Sequence, residues 1–428
     1  MWKYAGILLV LLAASCCGGV ETCSEYPDIF PDYVGVTVPY GTAPLRFRMS
    51  DGRRSSVNVR SNADTVWYEV VSRGVRYRPF PVYMSEDAID PYIVYRLIEP
   101  GYESWHDMEI RQRELSSFRE RTVVSNRVNG KGCVNCHHFA KGDPSRMIFH
   151  ARGAGGGTVY LDGDKASLLP VRATYPAWHP GGRYVAFSSN TTRQCFSIGS
   201  SQPVEVYDTE SDIVLLDLET GAMTPVPALT GPDVLETFPA WSEDGGTLYY
   251  CAADNVLDIA DNRGDVHYRL MSIGFDGKGN FSDEPCMVWQ DDSASVSFPR
   301  VKGDRVMFTK SSYGTFPIWH READLWTLDM LTGVAAPAAG LNSDDTESYH
   351  SWSSNGRWVV FSSRRLDGRY TRLFISHCND DGSFTKPFLL PQRKADHNTL
   401  RLKSYNIPEF VTDPVPDRRK SISKLFDL

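Results

Sequence analysis

The sequence has 428 residues, 45 Lys and Arg against 53 Asp and Glu, and a formal net charge of −8. That mild acidity argues against nucleic acid as a partner, which calls for a basic face. The length allows a large core and more than one domain; 12% aromatics beside 34 Gly and 26 Pro, with few long helical patterns, point to an all-β chain rich in turns.

The chain opens MWKYAGILLVLLAASCCGG, with Lys3 as a positive n-region and an apolar run from Ala5 to Leu12 that is too short to span a membrane. Small residues then precede Cys16. Residues 1–15 are therefore predicted as a lipoprotein-type signal peptide, with Cys16 lipidated; an ordinary secretory signal cut nearby is the alternative. No other segment reaches about 18 consecutive apolar residues. The expectation is an exported protein tethered to the bacterial cell envelope, on its periplasmic or surface face. Export also permits disulfides, but Cys17, Cys23, Cys195, Cys251, Cys286 and Cys378 have no framework spacing.

Across 24–100, short alternating segments follow one another: GVTVPY, LRFRM, SVNVR, VWYEVV and VRYRPF, with Asp51-Gly52 as a hairpin signal. They predict a small β-sandwich-like domain. Residues 101–131 are predicted as a helical connector, because Trp105, Met108, Leu115 and Phe118 share one face of a helix from Glu103 to Arg121. Ser104 and Asp107 suit its N-terminus, and His106 reads as a surface histidine.

CVNCHH, Cys133 to His138, follows. Cys-x-x-Cys-His is the spelling that attaches a c-type haem, two thiols reaching one porphyrin edge while the next imidazole ligates iron. A disulfide loop or a vestigial site competes with that reading. Zinc fits less well, since no second Cys/His pair is nearby. His138 cannot bind the same iron from the opposite side and reads as a neighbour.

Repeats fill 132–428. YPAWHPGGRYVAFSSN starts at Tyr175, FPAWSEDGGTLYYCA at Phe238 and YHSWSSNGRWVVFSSRR at Tyr349. In each, a Trp (178, 241, 352) precedes a Gly (182, 245, 356) and then an aromatic (187, 250, 361). Gly supplies positive φ for a turn, and a strand with alternating buried residues follows. A degenerate copy, SFPRVKGDRVMFTKS, puts Arg300 at the Trp position and Phe308 at the aromatic one. The haem motif heads an earlier copy, HHFAKGDPSRMIFHARG. Ser404 to Phe410 resembles one more blade start with no blade after it, fit to close a ring against upstream strands. Units of roughly 50 to 60 residues with about four strands each mean a β-propeller, and these starts predict six blades.

The repeats resemble the TolB-like propeller family, whose repeat reads W-S-P-D-G-x-x-[IL]-x-F-S-S. WSSNGRWVVFSSRRLDG is the best match, and Asp244 keeps the family's aspartate. The resemblance covers about Cys133 to Phe410 and implies the fold; propellers host many activities, so it implies no function.

Asp258, Asp261 and Asp265 are a calcium possibility, but they miss EF-hand spacing and read as solvated turn carboxylates. The absence of a Gly-x-Ser-x-Gly elbow, a His-Glu-x-x-His helix and a phosphate loop argues against hydrolysis. Two readings of function follow. The first is an envelope protein with one covalent haem c, used in electron transfer. Cys133 and Cys136 would form thioethers, His137 would ligate iron, and Met147 or His150 would be candidate sixth ligands, with His179, His320 and His350 in the wider pool. The second is a non-enzymatic scaffold whose propeller mouth holds an envelope protein, a peptide or a glycan.

Overall fold

The computed structural model describes residues 20–99, 107–153, 155–169, 171–197 and 202–426. The signal segment, Cys16, Trp105 and His106 lie outside them. Among the described residues no helix is long and apolar enough to cross a membrane.

Six four-stranded antiparallel sheets form the ring. Their inner strands are Val134–Ala140, Thr174–Trp178, Val234–Trp241, Ser295–Lys302, Glu347–Trp352 and Ser404–Val411, numbered here as blades 1 to 6. Blades 1 to 5 run outward in chain order. Blade 6 is composite: Ser404–Val411 pairs with Tyr92–Ile98, which continues outward to Glu109–Glu114 and Glu120–Ser125. The last strand thus closes the ring against the first ones, as the orphan blade start implied.

The helix predicted from Glu103 to Arg121 is corrected: residues 109–114 and 120–125 are strands, joined by a turn at 115–118. Glu109–Glu114 has a hydrogen-bonding neighbour on both sides, so a ladder overrides the local spacing of Met108 and Leu115, both of which are core residues. The connector at 101–131 is therefore largely part of the propeller.

The six inner strands share one irregularity. Each carries a residue with positive φ: Cys136 (52°), Tyr175 (49°), Phe238 (53°), Phe298 (52°), Tyr349 (48°) and Ile407 (52°). At each, one extra residue bulges from the ladder with the second strand. A left-handed non-glycine residue costs about 1–2 kcal/mol, so packing must hold all six.

These bulges fix which residues are equivalent. Arg300 pairs with Met307 as Ala240 pairs with Tyr249, so Val301, not Arg300, stands where Trp241 does. A shorter turn after Val301 displaced the sequence alignment by one residue. A one-residue change swaps faces, and it places Arg300 in the central channel. Trp178 and Trp241 do occupy equivalent sites between blades. Their indole N–H groups donate to the carbonyls of His138 (3.3 Å) and Ala177 (3.1 Å) on the preceding blade. Trp352 holds the same register, but its indole nitrogen has no partner among the described residues.

The small N-terminal domain is a six-stranded sheet plus a two-stranded ribbon. Asp51-Gly52 forms a turn but not the expected hairpin: Arg48–Met49 pairs back to Ile29–Phe30, and Ser56–Ser61 pairs onward with Thr65–Ser72. Tyr33, Val70 and Phe80 share one core with Trp358, Ile375 and Phe388 of blade 5 and with Tyr95 and Tyr405 of blade 6. Asp87 adds hydrogen bonds to Arg357 (2.9 Å) and His377 (2.6 Å).

Candidate functional site: the central channel

The positive-φ residues meet on the ring axis. Ring centroids of Tyr175 and Phe238 are 4.2 Å apart, those of Phe238 and Phe298 4.2 Å, and those of Phe298 and Tyr349 4.8 Å. With Cys136 and Ile407 these aromatics plug the channel and divide it into two chambers. On the side of the turns that link inner to second strands lies a cavity of about 460 Å³. On the other side is a vestibule of about 90 Å³.

The residue two after each plug position lines the larger cavity: His138, Ala177, Ala240, Arg300, Ser351 and Glu409. This ring has two halves. Blades 2 and 3 contribute two alanines, backed by Trp178 and Trp241. Blades 4, 5, 6 and 1 contribute Arg300, Ser351, Glu409 and His138. Arg300 donates to its own Pro299 carbonyl at 3.0 Å and has no ion pair among the described residues. The Phe139 amide donates to Glu409 at 3.0 Å, and His138 Nε2 lies 3.9 Å from the same carboxyl oxygen. Burial raises Glu409 to about 8, only partly opposed by that amide and by Arg300, so it is mostly protonated at neutral pH. Burial, then Arg300, holds His138 and His350 at about 3, so both rings are neutral. The buried Ser351 hydroxyl and the Nδ1 atoms of His138 and His350 lack partners among the described residues. At the rim Lys302 bridges Glu243 and the Ser354 carbonyl, tying blades 3, 4 and 5.

The Cys-x-x-Cys-His motif is split by the bulge at Cys136. Cys133 and Cys136 are free thiols, and both line the smaller vestibule. Burial raises Cys136. His137 lines neither chamber. It is equivalent to His350, whose Nε2 lies 3.0 Å from the Met307 carbonyl of the preceding blade. His137 likewise sits fully buried between blades 1 and 6, near Val94, and burial lowers it to about 3. Neither of its ring nitrogens completes a hydrogen bond among the described residues. A c-type haem needs both thiols and the imidazole on one macrocycle. Here they face different spaces, and the vestibule is far smaller than a porphyrin, so the strand as folded does not fit the group. Met147 is core between blades 1 and 6. His150 lies on the opposite face of that strand, with Nδ1 3.4 Å from Thr158 Oγ1. Asp258 precedes the short helix Ile259–Asn262, which contains Asp261, and Asp265 ends the turn after it; among the described residues no group of three or more His, Cys, Asp or Glu is arranged to hold a metal ion.

The vestibule is roofed. Blade 2 has a long hairpin, Tyr184–Phe196 and Val204–Asp217, and its Gln194 and Val206 line the vestibule together with Phe316, Ile318 and Trp319 from a blade 4 loop. A network around the buried His320 and Glu205 latches this strap. Tyr313 donates to Glu205 (3.1 Å) and Gln202 (3.0 Å), while His320 lies 3.1 Å from Glu322 and 3.7 Å from Glu205. Burial alone would lower His320, but hydrogen bonding to Glu205 and Glu322 outweighs it and raises the imidazole to about 9. Hydrogen bonding to His320 in turn holds Glu322 at about 2. The histidine contribution is complete below about 6.5 and is lost as pH rises through 9; that of Glu322 is complete above 4.5 and is lost as pH falls toward 2. The melting temperature is therefore expected to fall between pH 7 and 10, and the fall should flatten in His320→Gln. An unchanged slope in that variant would remove the latch from the account.

The sequence reading missed Arg300, Glu409 and Ser351 as channel residues and passed over His138. Their signal was the variable position of Tyr-Pro-x-Trp, where the six copies differ most in chemistry.

No known family profile and no curated protein matches the sequence. Among solved structures, TolB from Acinetobacter baumannii aligns with a TM-score of 0.48 at 13% identity, over 83% of this chain and 81% of that one. The β-propeller domain of the Trilobed protease from Pyrococcus furiosus gives 0.40 at 11%, over 84% and 98%. An oligogalacturonate lyase in complex with manganese gives 0.40 at 13%, over 71% and 74%. The six-bladed architecture stands on the chain's own sheets.

Proposed function

We propose that the protein is a non-enzymatic binding propeller of the bacterial cell envelope, exported and anchored through Cys16, that holds a ligand in its central cavity. One observation carries this reading: a cavity of about 460 Å³, closed at its base, is lined on one side by His138, Arg300, Ser351 and Glu409 and on the other by an apolar wall. That volume is within the range of small-molecule sites, which combine an apolar wall with a few placed polar groups. An envelope peptide, a glycan or a smaller molecule would all enter by the turn-side mouth.

Covalent haem is the competing reading. In its favour, both motif thiols are free and face one vestibule, which Arg96, Arg152 and Arg364 also line, a setting suited to acidic groups. Intact mass spectrometry of protein from native membranes separates the two. The binding reading expects a native mass above the denatured mass in the wild type, and equal masses in Ala240→Phe, which fills the cavity. Equal masses in the wild type would overturn it. A denatured mass that retains a haem would favour the competitor. The same spectrum reads acyl chains on Cys16.

A further inference from the structure

We infer that the cavity recognises a carboxylate borne on an apolar body, the carboxylate seated by Arg300 and Ser351 and the body lying against blades 2 and 3. This rests on the cavity being a ligand site and names the chemistry of its ligand.

The argument begins with the division of the ring. Arg300, Ser351 and Glu409 occupy the same position on three successive blades, so their side chains converge on one side of the cavity. A guanidinium is always charged and offers five donors in a planar fork that matches a carboxylate. Arg300 makes one hydrogen bond among the described residues, to its own backbone neighbour, and no carboxylate pairs with it there. The adjacent Ser351 is 7% exposed, and its hydroxyl has no partner. Glu409 in its neutral form adds a third donor instead of a competing anion. Of the other charges around the cavity, Lys302 is paired with Glu243, and Asp90 accepts from the Ser354 amide and hydroxyl. Lys141 at the mouth adds a further positive charge. The anionic end of a ligand therefore meets donors and little opposing charge.

The opposite wall has no comparable groups. Ala177 and Ala240 present methyl groups, and Pro239, Trp178 and Trp241 complete an apolar surface. A small inorganic anion would leave that half without contact, and a neutral apolar molecule would leave Arg300 unpaired.

The test uses the full chain and two probes of equal shape, 3-phenylpropionate and 3-phenylpropanamide, in isothermal titration calorimetry. The acid is expected to bind about ten- to hundredfold more tightly than the amide, as a charge-assisted pair implies. Arg300→Met should abolish most of that preference, and Arg300→Lys should retain part of it. Because the acid–amide comparison is made on the wild type, it holds even if Arg300→Met fails to fold. Equal affinities for the two probes overturn the inference, and so does an absence of binding by the acid. Either result leaves the binding reading standing if native protein still carries a cavity ligand by mass; if it carries none, both fall.

Discussion

Deleting residues 404–428 is expected to abolish cooperative folding of the propeller rather than to trim its end. Ser404–Val411 is the inner strand of blade 6, and it alone joins that blade to the ring axis. Tyr405, Phe410 and Val411 are each at most 3% exposed. Burying an apolar side chain of this kind contributes about 1.5–3 kcal/mol. Loss of the strand also strips hydrogen bonds from Tyr92–Ile98 and uncovers both neighbouring blades. The sum is comparable to the whole stability of an ordinary domain, about 5–15 kcal/mol. Far-UV circular dichroism and thermal melting check this. A truncated chain that melts cooperatively near the wild-type temperature would mean that five blades suffice.

Trp241→Ala is expected to lower stability by about 3–5 kcal/mol, the range for emptying a large buried aromatic site. Trp241 is 8% exposed and wedges blade 3 against blade 2, with ring centroids 4.8 Å from His179 and 5.0 Å from Phe275. Its N–H bond to the Ala177 carbonyl is lost as well. Trp352→Ala should cost less by about 1 kcal/mol, because that indole has no bond to lose. Urea unfolding gives both values; equal losses would show that the hydrogen bond contributes nothing.

The ring was legible because its signal is periodic. Trp, Gly and a following aromatic recur in three copies, and even the orphan strand at Ser404 could be assigned its closing task. Strands 92–98 and 109–114 carried no such signal: the inner partner of 92–98 lies some three hundred residues away, so the intervening chain must first form a ring, and 109–114 is built onto 92–98. Met108 and Leu115 are buried on strand and turn instead of on a helix. CVNCHH was legible as a motif, but its spatial division was not. A bulge at Cys136 turns the two thiols toward one chamber and His138 toward the other, and leaves His137 between sheets. That bulge has no local marker. It emerges only when six inner strands are laid in register, the same comparison that moves Arg300 into the channel.

The aromatic plug and the latched strap together make the channel a dead end. A molecule in the larger cavity must leave by the mouth through which it arrived, past Lys302 and the turns of blades 3 to 5. Its dwell time is then governed at that rim, and its depth of insertion by the stack from Tyr175 to Tyr349. Traffic through the ring, from one face of the molecule to the other, would require four packed aromatic rings to part.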